Sequence, residues 1–364
     1  MSQPPIDTSS PIVGRWDTVI IGGGPAGLAA AIQLARLGRS CVVVDDDAGR
    51  SLWSQVTRNH LGFPDGIKAA DLRLLGQRQA VRYGATLRSG RVAGLQRDLK
   101  GGFRVRIEPP GPADPAEASD EPGAVDPEDS QGLSEHRRRE RDHGARLGER
   151  RTRSGTWTRA RTVLLATGVV DAFPAFEGRD ACVGVSLFWC IVCDGYEARG
   201  RSVVVVGDDP EGLSTAFGLV GLGASVTLVT GRRRARASRV RLRALGDRGV
   251  AVHRAAVAEY RHEDGRIESV RLADEGATDL ACTMVFVSSP RRPRSELGRR
   301  LRAGTDGAGY LVVDDDGRTS VARLYAAGDV TAGHAHQVSA AAYLGATAAT
   351  AVNHDLSEPV ERGE

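Results

Sequence analysis

Asp17-Thr-Val-Ile-Ile-Gly-Gly-Gly-Pro-Ala-Gly27 is the stretch on which the fold turns. The apolar run Val19-Ile-Ile21 reads as a buried strand, and the glycines fall as G-x-G-x-x-G at Gly22, Gly24 and Gly27. A helix-like run follows over 28–37, then a second apolar strand over 41–44 that ends in Asp45. Gly22 permits the tight turn, Gly24 lets a pyrophosphate approach the backbone, and Gly27 lets helix and strand pack closely. Pro25 and Ala26 complete the turn at the helix start. The free N–H groups and partial positive charge there favour phosphate. Asp45, 18 residues beyond Gly27, stands where a carboxylate accepts hydrogen bonds from a ribose. The motif, with its strand, helix and terminal acid, predicts a dinucleotide site and does not distinguish FAD from NAD.

The same grammar recurs 185 residues later as Ser202-Val-Val-Val-Val-Gly-Asp-Asp-Pro-Glu-Gly212, with a helix to about 222 and a strand over 225–229. Two such units predict an α/β chain with two Rossmann-like, three-layer dinucleotide-binding domains. Strand character returns at 309–313 and 324–330, and an alanine-rich helix is expected over 337–353. The second domain is therefore expected as an insertion in the first. The boundaries are a disordered tail 1–15, first domain 16–170, second domain 171–294, the remainder of the first domain 295–356, and a tail 357–364. Asp264-Gly265 predicts a hairpin turn in the second domain. Residues 109–158, first acidic and Pro-rich and then Arg-rich, read as a charged disordered insertion between surface strands at 103–107 and 162–165.

The 364 residues carry a net charge of +3, which argues for neither nucleic acid nor a membrane surface as partner. No run approaches the ~18 apolar residues of a membrane span, and the polar N-terminus lacks a signal-peptide core, so a cytoplasmic protein is expected. Five cysteines are too few and too scattered for a secreted disulfide framework. Cys190 and Cys193 form a C-x-x-C, and with no second such pair or nearby His pair to complete a metal site, redox chemistry is expected and metal is not. A helix N-terminus at this pair would favour the thiolate, the species that attacks and leaves in exchange. Asp194 follows directly and could shuttle a proton. Cys41, Cys182 and Cys282 show no such context.

Gly22-Gly-Gly-Pro-Ala-Gly27, Ala166-Thr-Gly168, Cys190-Ile-Val-Cys-Asp-Gly195 and Ala326-Ala-Gly-Asp-Val330 occur in the order of the low-molecular-weight thioredoxin reductases. Asn59-His-Leu-Gly-Phe-Pro64 is similar to that family's segment beside the flavin. The resemblance covers nearly the whole chain outside the tail and the insertion. It implies FAD in the first site, with Thr167, Gly168, Gly328 and Asp329 holding its middle. Asn59, Gln337 and Val338 would lie near the isoalloxazine, Cys193 nearest the flavin and Cys190 nearer the substrate. It also implies NADPH in the second domain, a thioredoxin-like protein or small disulfide or dithiol as partner, a rotating second domain with hinges near 170–173 and 291–294, and a homodimer.

The second site departs from the pattern. Gly207-Asp-Asp-Pro-Glu-Gly212 places Asp209 where the middle glycine belongs, and its carboxylate repels phosphate. Downstream, Thr230-Gly-Arg-Arg-Arg-Ala-Arg-Ala237 lacks the first His and Arg of the family's 2′-phosphate motif, though Arg232 and Arg236 remain to grip a phosphate. Two readings keep the flavin and the dithiol: an NADPH-dependent disulfide reductase, or the same exchange with ferredoxin, a second flavin, or oxygen in a small-molecule dithiol oxidase. A third, of another class, is a flavin-bound redox sensor.

Overall fold

A computed structural model describes residues 14–110, 155–231, 238–288, 291–333 and 335–357. The first unit runs β1 (Arg15–Ile21), α1 (Pro25–Arg36), β2 (Cys41–Asp45), α2 (Ala69–Arg82), β3 (Thr86–Ser89), β4 (Arg91–Arg97), β5 (Phe103–Glu108) and β6 (Thr156–Leu165). Then come β7 (Val169–Asp171), α3 (Ile191–Asp194), β8 (Ser202–Val206), α4 (Pro210–Gly221), β9 (Ser225–Val229), β10 (Ala251–His253), β11 (Met284–Val287) and β12 (Arg291–Pro293). The chain closes with β13 (Leu324–Ala326) and α5 (Val338–Ser357).

β1 ends in the apolar run Val19–Ile21 because both faces of the sheet are covered there. Ile20 points into a cluster with Leu34, Ala348 and Val352 from α1 and α5. Val19 and Ile21 point into the opposite cluster, with Val92, Leu95 and Phe103. The sheet order is β3-β2-β1-β6-β5-β4, and β13 pairs with the C-terminal part of β6. Ile20 stands opposite both Val43 and Leu164, so the parallel heart of the sheet is in register across three strands. Because β6 and β13 are neighbours in one sheet, the second sheet, which lies between them in sequence, is an insertion in the first unit.

That insertion builds a parallel sheet of its own, with Leu187–Phe188, β11, β8, β9 and β10 in that order. Val203 and Val205 face one core and Val204 the other, the same two-sided burial. A hairpin joins Val257–Glu263 to Arg266–Leu272. Its turn residues Asp264 and Gly265 have φ of 47° and 76°, the left-handed pair expected of Asp-Gly. The two passages of chain between the sheets run side by side, as β7 and β12 pair antiparallel with Asp171 opposite Arg291.

Three local expectations need correction. β6 begins at Thr156, inside the stretch expected to be disordered, and pairs Trp157 with Arg106. Its inward residues there are Thr158 and Ala160, short side chains between exposed neighbours, so its alternation reads as loop in a charged context. The remainder of that insertion, 111–154, lies outside the described residues, as do the tails 1–13 and 358–364. Residues 309–313 make isolated bridges, not a strand: Leu311 is a core plug beside Leu324 and Val330. The last helix runs to Ser357, four residues beyond its expected end. No helix among the described residues is long and apolar enough to cross a membrane.

α5 lies against α1 through glycine: a Cβ on Gly345 would stand 2.0 Å from the Ala26 carbonyl oxygen. Gly345→Ala should cost about 3 kcal/mol of stability, because neither backbone can yield without tilting a helix. Gly221→Ala, where a Cβ meets nothing within 4 Å, should stay within about 1 kcal/mol of wild type. Urea unfolding of the two variants checks the contrast.

Candidate functional site

A cavity of about 590 Å³ opens at the C-terminal edge of the first sheet, where β1 hands over to α1. Gly22 turns the chain with φ +106°, and a Cβ on it would lie 2.3 Å from the carbonyl oxygen of Ala166 at the end of β6. Gly27 sits as closely on the Gly22 carbonyl, at 1.9 Å, so it works behind the cavity wall and not in it. Gly24 differs from both. It is the residue preceding α1, no side chain caps the helix there, and a Cβ on it would meet nothing within 4 Å. The helix N-terminus is thus open toward the cavity, which is what a pyrophosphate requires. Pro25, Ala26, Thr167 and Gly168 line the same space. Gly328 does not; it packs against Ala26, where a Cβ on it would stand 2.8 Å from the Ala26 Cβ.

Asp45 lines one end of the cavity and is held by Arg73, which also reaches Asp47. Burial pushes its carboxyl up, and Arg73 and the Gly23 N–H oppose that. The other end is closed by Cys193, Asn59, Gln337 and Val338. Cys190 and Cys193 are joined in a disulfide. Cys190 precedes α3 and its Sγ accepts the Cys193 N–H at 3.2 Å. The Gln337 Nε2 lies 3.5 Å from both sulfurs. Asn59 donates to Gln337 Oε1 at 2.8 Å and to the Val192 carbonyl at 3.3 Å, so one amide pair ties the start of α5 to the redox loop.

Asp194 is only 7% exposed and does not line the cavity. Burial, reinforced by the neighbouring Glu197 carboxylate and opposed by Arg58, pushes its carboxyl up to about 7. A carboxyl in that range exchanges its proton near neutrality. The other three cysteines are buried in the cores, and burial pushes the thiols of Cys41 and Cys282 up to about 12, which leaves them inert.

A cluster of charge, of which sequence reading singled out only Asp329, sits between cavity and ribbon. Arg50 donates to Asp171 at 2.5 Å and to Asp329 at 2.9 Å, and Arg291 reaches Asp171 at 3.4 Å and also Glu211. Asp171 is buried, and two arginines make that tolerable. These residues are scattered over 279 positions and share no motif, so only the fold brings them together. Arg291 also lies 3.5 Å from Nδ1 of His336, a cavity residue whose imidazole burial holds below its ordinary value.

The second nucleotide turn stands apart from this cavity. Asp209 occupies the position before α4 that Gly24 holds before α1, and its Oδ1 accepts the Gly212 N–H and the Ser288 hydroxyl, both at 2.7 Å. The helix N-terminus that would meet a pyrophosphate already carries a carboxylate of its own. Glu211, one turn residue on, is paired with Arg291. A Cβ on Gly207 would lie 2.6 Å from Ser288 Cβ, so that glycine serves close packing. Arg232 and Arg236 lie outside the described residues.

Comparison with known proteins agrees with the geometry. The model of the pyridine nucleotide-disulphide oxidoreductase family matches residues 16–345. The thioredoxin reductase of Streptomyces clavuligerus is 28% identical over 341 residues, covering 92% of this chain and 91% of that protein. The crystal structure of HlmI superposes with a TM-score of 0.75 at 27% identity, over 95% of each chain. The thioredoxin reductase from Streptococcus pyogenes, at 24% identity, has the same fold, with a TM-score of 0.74 over 94% of this chain and 98% of that one. The chain belongs to the pyridine nucleotide-disulphide oxidoreductase family, as a flavin-dependent disulfide oxidoreductase of thioredoxin-reductase-like type.

Proposed function

We propose that this chain holds FAD along the open N-terminus of α1 and moves electrons between that flavin and the Cys190–Cys193 pair, which exchanges with an external dithiol or disulfide. The observation that carries the reading is that one cavity contains both an uncapped helix N-terminus beside Gly24 and the Cys193 wall of a disulfide. In it, Pro25, Ala26, Thr167, Gly168 and Asp329 would line the path of the cofactor, and Asp45 would receive a ribose. When bound, the isoalloxazine supplies a two-electron donor and acceptor for sulfur. Gln337, held by Asn59, keeps its amide beside both sulfurs, where it can donate to a thiolate as the pair opens. Asp194 accepts or returns the thiol proton. The domain limits 171–294, with hinges at the β7–β12 ribbon, and a homodimer belong to the same reading.

On the electron partner, the self-capped α4 turn supports one other than NADPH, because Asp209 would have to release two hydrogen bonds and then face phosphate charge. A second reading, NADPH as donor and a thioredoxin-like protein as acceptor, is favoured by relatives that carry the name thioredoxin reductase over more than nine-tenths of this chain. Anaerobic mixing separates them. With NADPH, and then NADH, the flavin absorbance should persist for minutes, whereas a small dithiol should bleach it; rapid bleaching by NADPH would establish the second reading. Cys193→Ser should purify yellow, with wild-type flavin content, and exchange with a dithiol should fall by at least about a hundredfold. Undiminished dithiol turnover in that variant would remove the pair from the reaction.

A further inference from the structure

Arg58 and Glu197 form an ion pair between the two units, with Nε 3.4 Å from Oε1. Arg58 lies in the first unit, on the loop after the short strand Val56–Thr57. Glu197 lies in the second, three residues beyond Asp194 across Gly195. The Glu197 Oε2 is buried and has no hydrogen-bond partner among the described residues. A half-satisfied carboxylate beside a buried carboxylic acid is costly and performs no packing that a glutamine could not. The groups facing Asp194 are few. Glu197 is on its own turn and Arg58 comes from the other unit. The residues packed against α3 there from α4 and its C-terminal cap, Gly218 and Leu222, do not titrate.

We propose that Glu197 and Arg58 are positioning residues that set when Asp194 carries its proton, and that the pair, by spanning both units, ties that proton to the arrangement in which the disulfide faces the cavity. This rests on the dithiol–disulfide reading above. In the exchange step a substrate thiol gives its proton to the Asp194 carboxylate as its sulfur bonds to one sulfur of the pair and the Cys190–Cys193 bond breaks. The second substrate thiol then closes the substrate disulfide and releases the pair as a dithiol: the substrate loses two electrons and the pair gains them. Glu197 disfavours a second negative charge at Asp194 and so keeps the proton on it; Arg58 does the reverse. Were the second unit to swing away, Arg58 would stay behind and Asp194 would hold its proton more tightly. The proton would then be bound in one position and released in the other.

The test is stopped-flow reduction of the full-length flavoprotein by dithiothreitol under anaerobic conditions, with rates expressed per thiolate, between about pH 5 and 9. The wild-type profile should show a limb set by Asp194, absent in Asp194→Asn. Glu197→Gln should move that limb to lower pH by roughly one unit, and Arg58→Gln should move it to higher pH by a similar amount. Arg58 is nearly half exposed, so its variant should fold even where Glu197→Gln does not. A limb at one pH in wild type and both variants, or a uniform fall in rate without displacement, overturns the proposal. No reduction by dithiothreitol in the wild type at any pH would instead overturn the functional reading beneath it.

Discussion

Gly27 lies so close to the Gly22 carbonyl that a Cβ would sit 1.9 Å from its oxygen, and Gly345 of the last helix is 2.0 Å by the same measure from the Ala26 carbonyl. Close approach of three backbones at the head of α1 is the constraint from which the rest follows. It turns the chain sharply enough for α1 to cover the β1–β6 face, and it admits α5, which returns from the far end of the sequence, to the same face. It also leaves the first N–H groups of α1 directed at a space no side chain fills. A larger residue at these positions would separate the layers and close the cavity in one stroke.

The chain contains its own control for this arrangement. β1–α1 and β8–α4 are built on one plan, with an apolar strand, a glycine turn and proline in the first helical turn. One turn leaves its helix N-terminus open to the cavity, and the other satisfies it internally through Asp209. A cap of this kind stabilises a helix by about 1 kcal/mol, so the second unit loses nothing as a folding module while its turn becomes a poor phosphate site. The shared fold and the separate use of its two halves are consistent, because fold does not dictate what a site binds.

The interface between the units near the cavity combines charged groups with an aromatic stack, in which Trp53 of the first unit lies 5.2 Å from Phe173 and Phe173 lies 5.1 Å from Trp189. Arg50, Asp171, Asp329, Arg291 and Glu211 form one linked set, and Arg58 with Glu197 forms another beside the redox loop. The ribbon of β7 and β12, which joins the two units, is short, with three residues on each side.

The motifs decided the architecture unaided: Gly22 to Gly27, Asp45 and Cys190–Cys193 are local patterns whose physics is complete within a few residues. The hairpin at Asp264-Gly265 was legible for the same reason, since its backbone conformation belongs to the dipeptide. What the sequence could not disclose were properties of pairs distant in the chain. The strand at Thr156–Ala160 looked like loop because its partner Phe103–Ile107 lies beyond the charged stretch, and Leu311 looked like strand because its burial depends on Leu324 and Val330. Asp209 was recognisable as a poor residue for a phosphate turn, but its role as a cap needed Ser288 and the Gly212 N–H beside it. Arg58, Arg50 and Asp171 acquire meaning only from the carboxylates and guanidinium groups set against them. Backbone geometry is encoded locally, whereas the pairing of charges is a matter of distance in space, and only the tertiary structure fixes that.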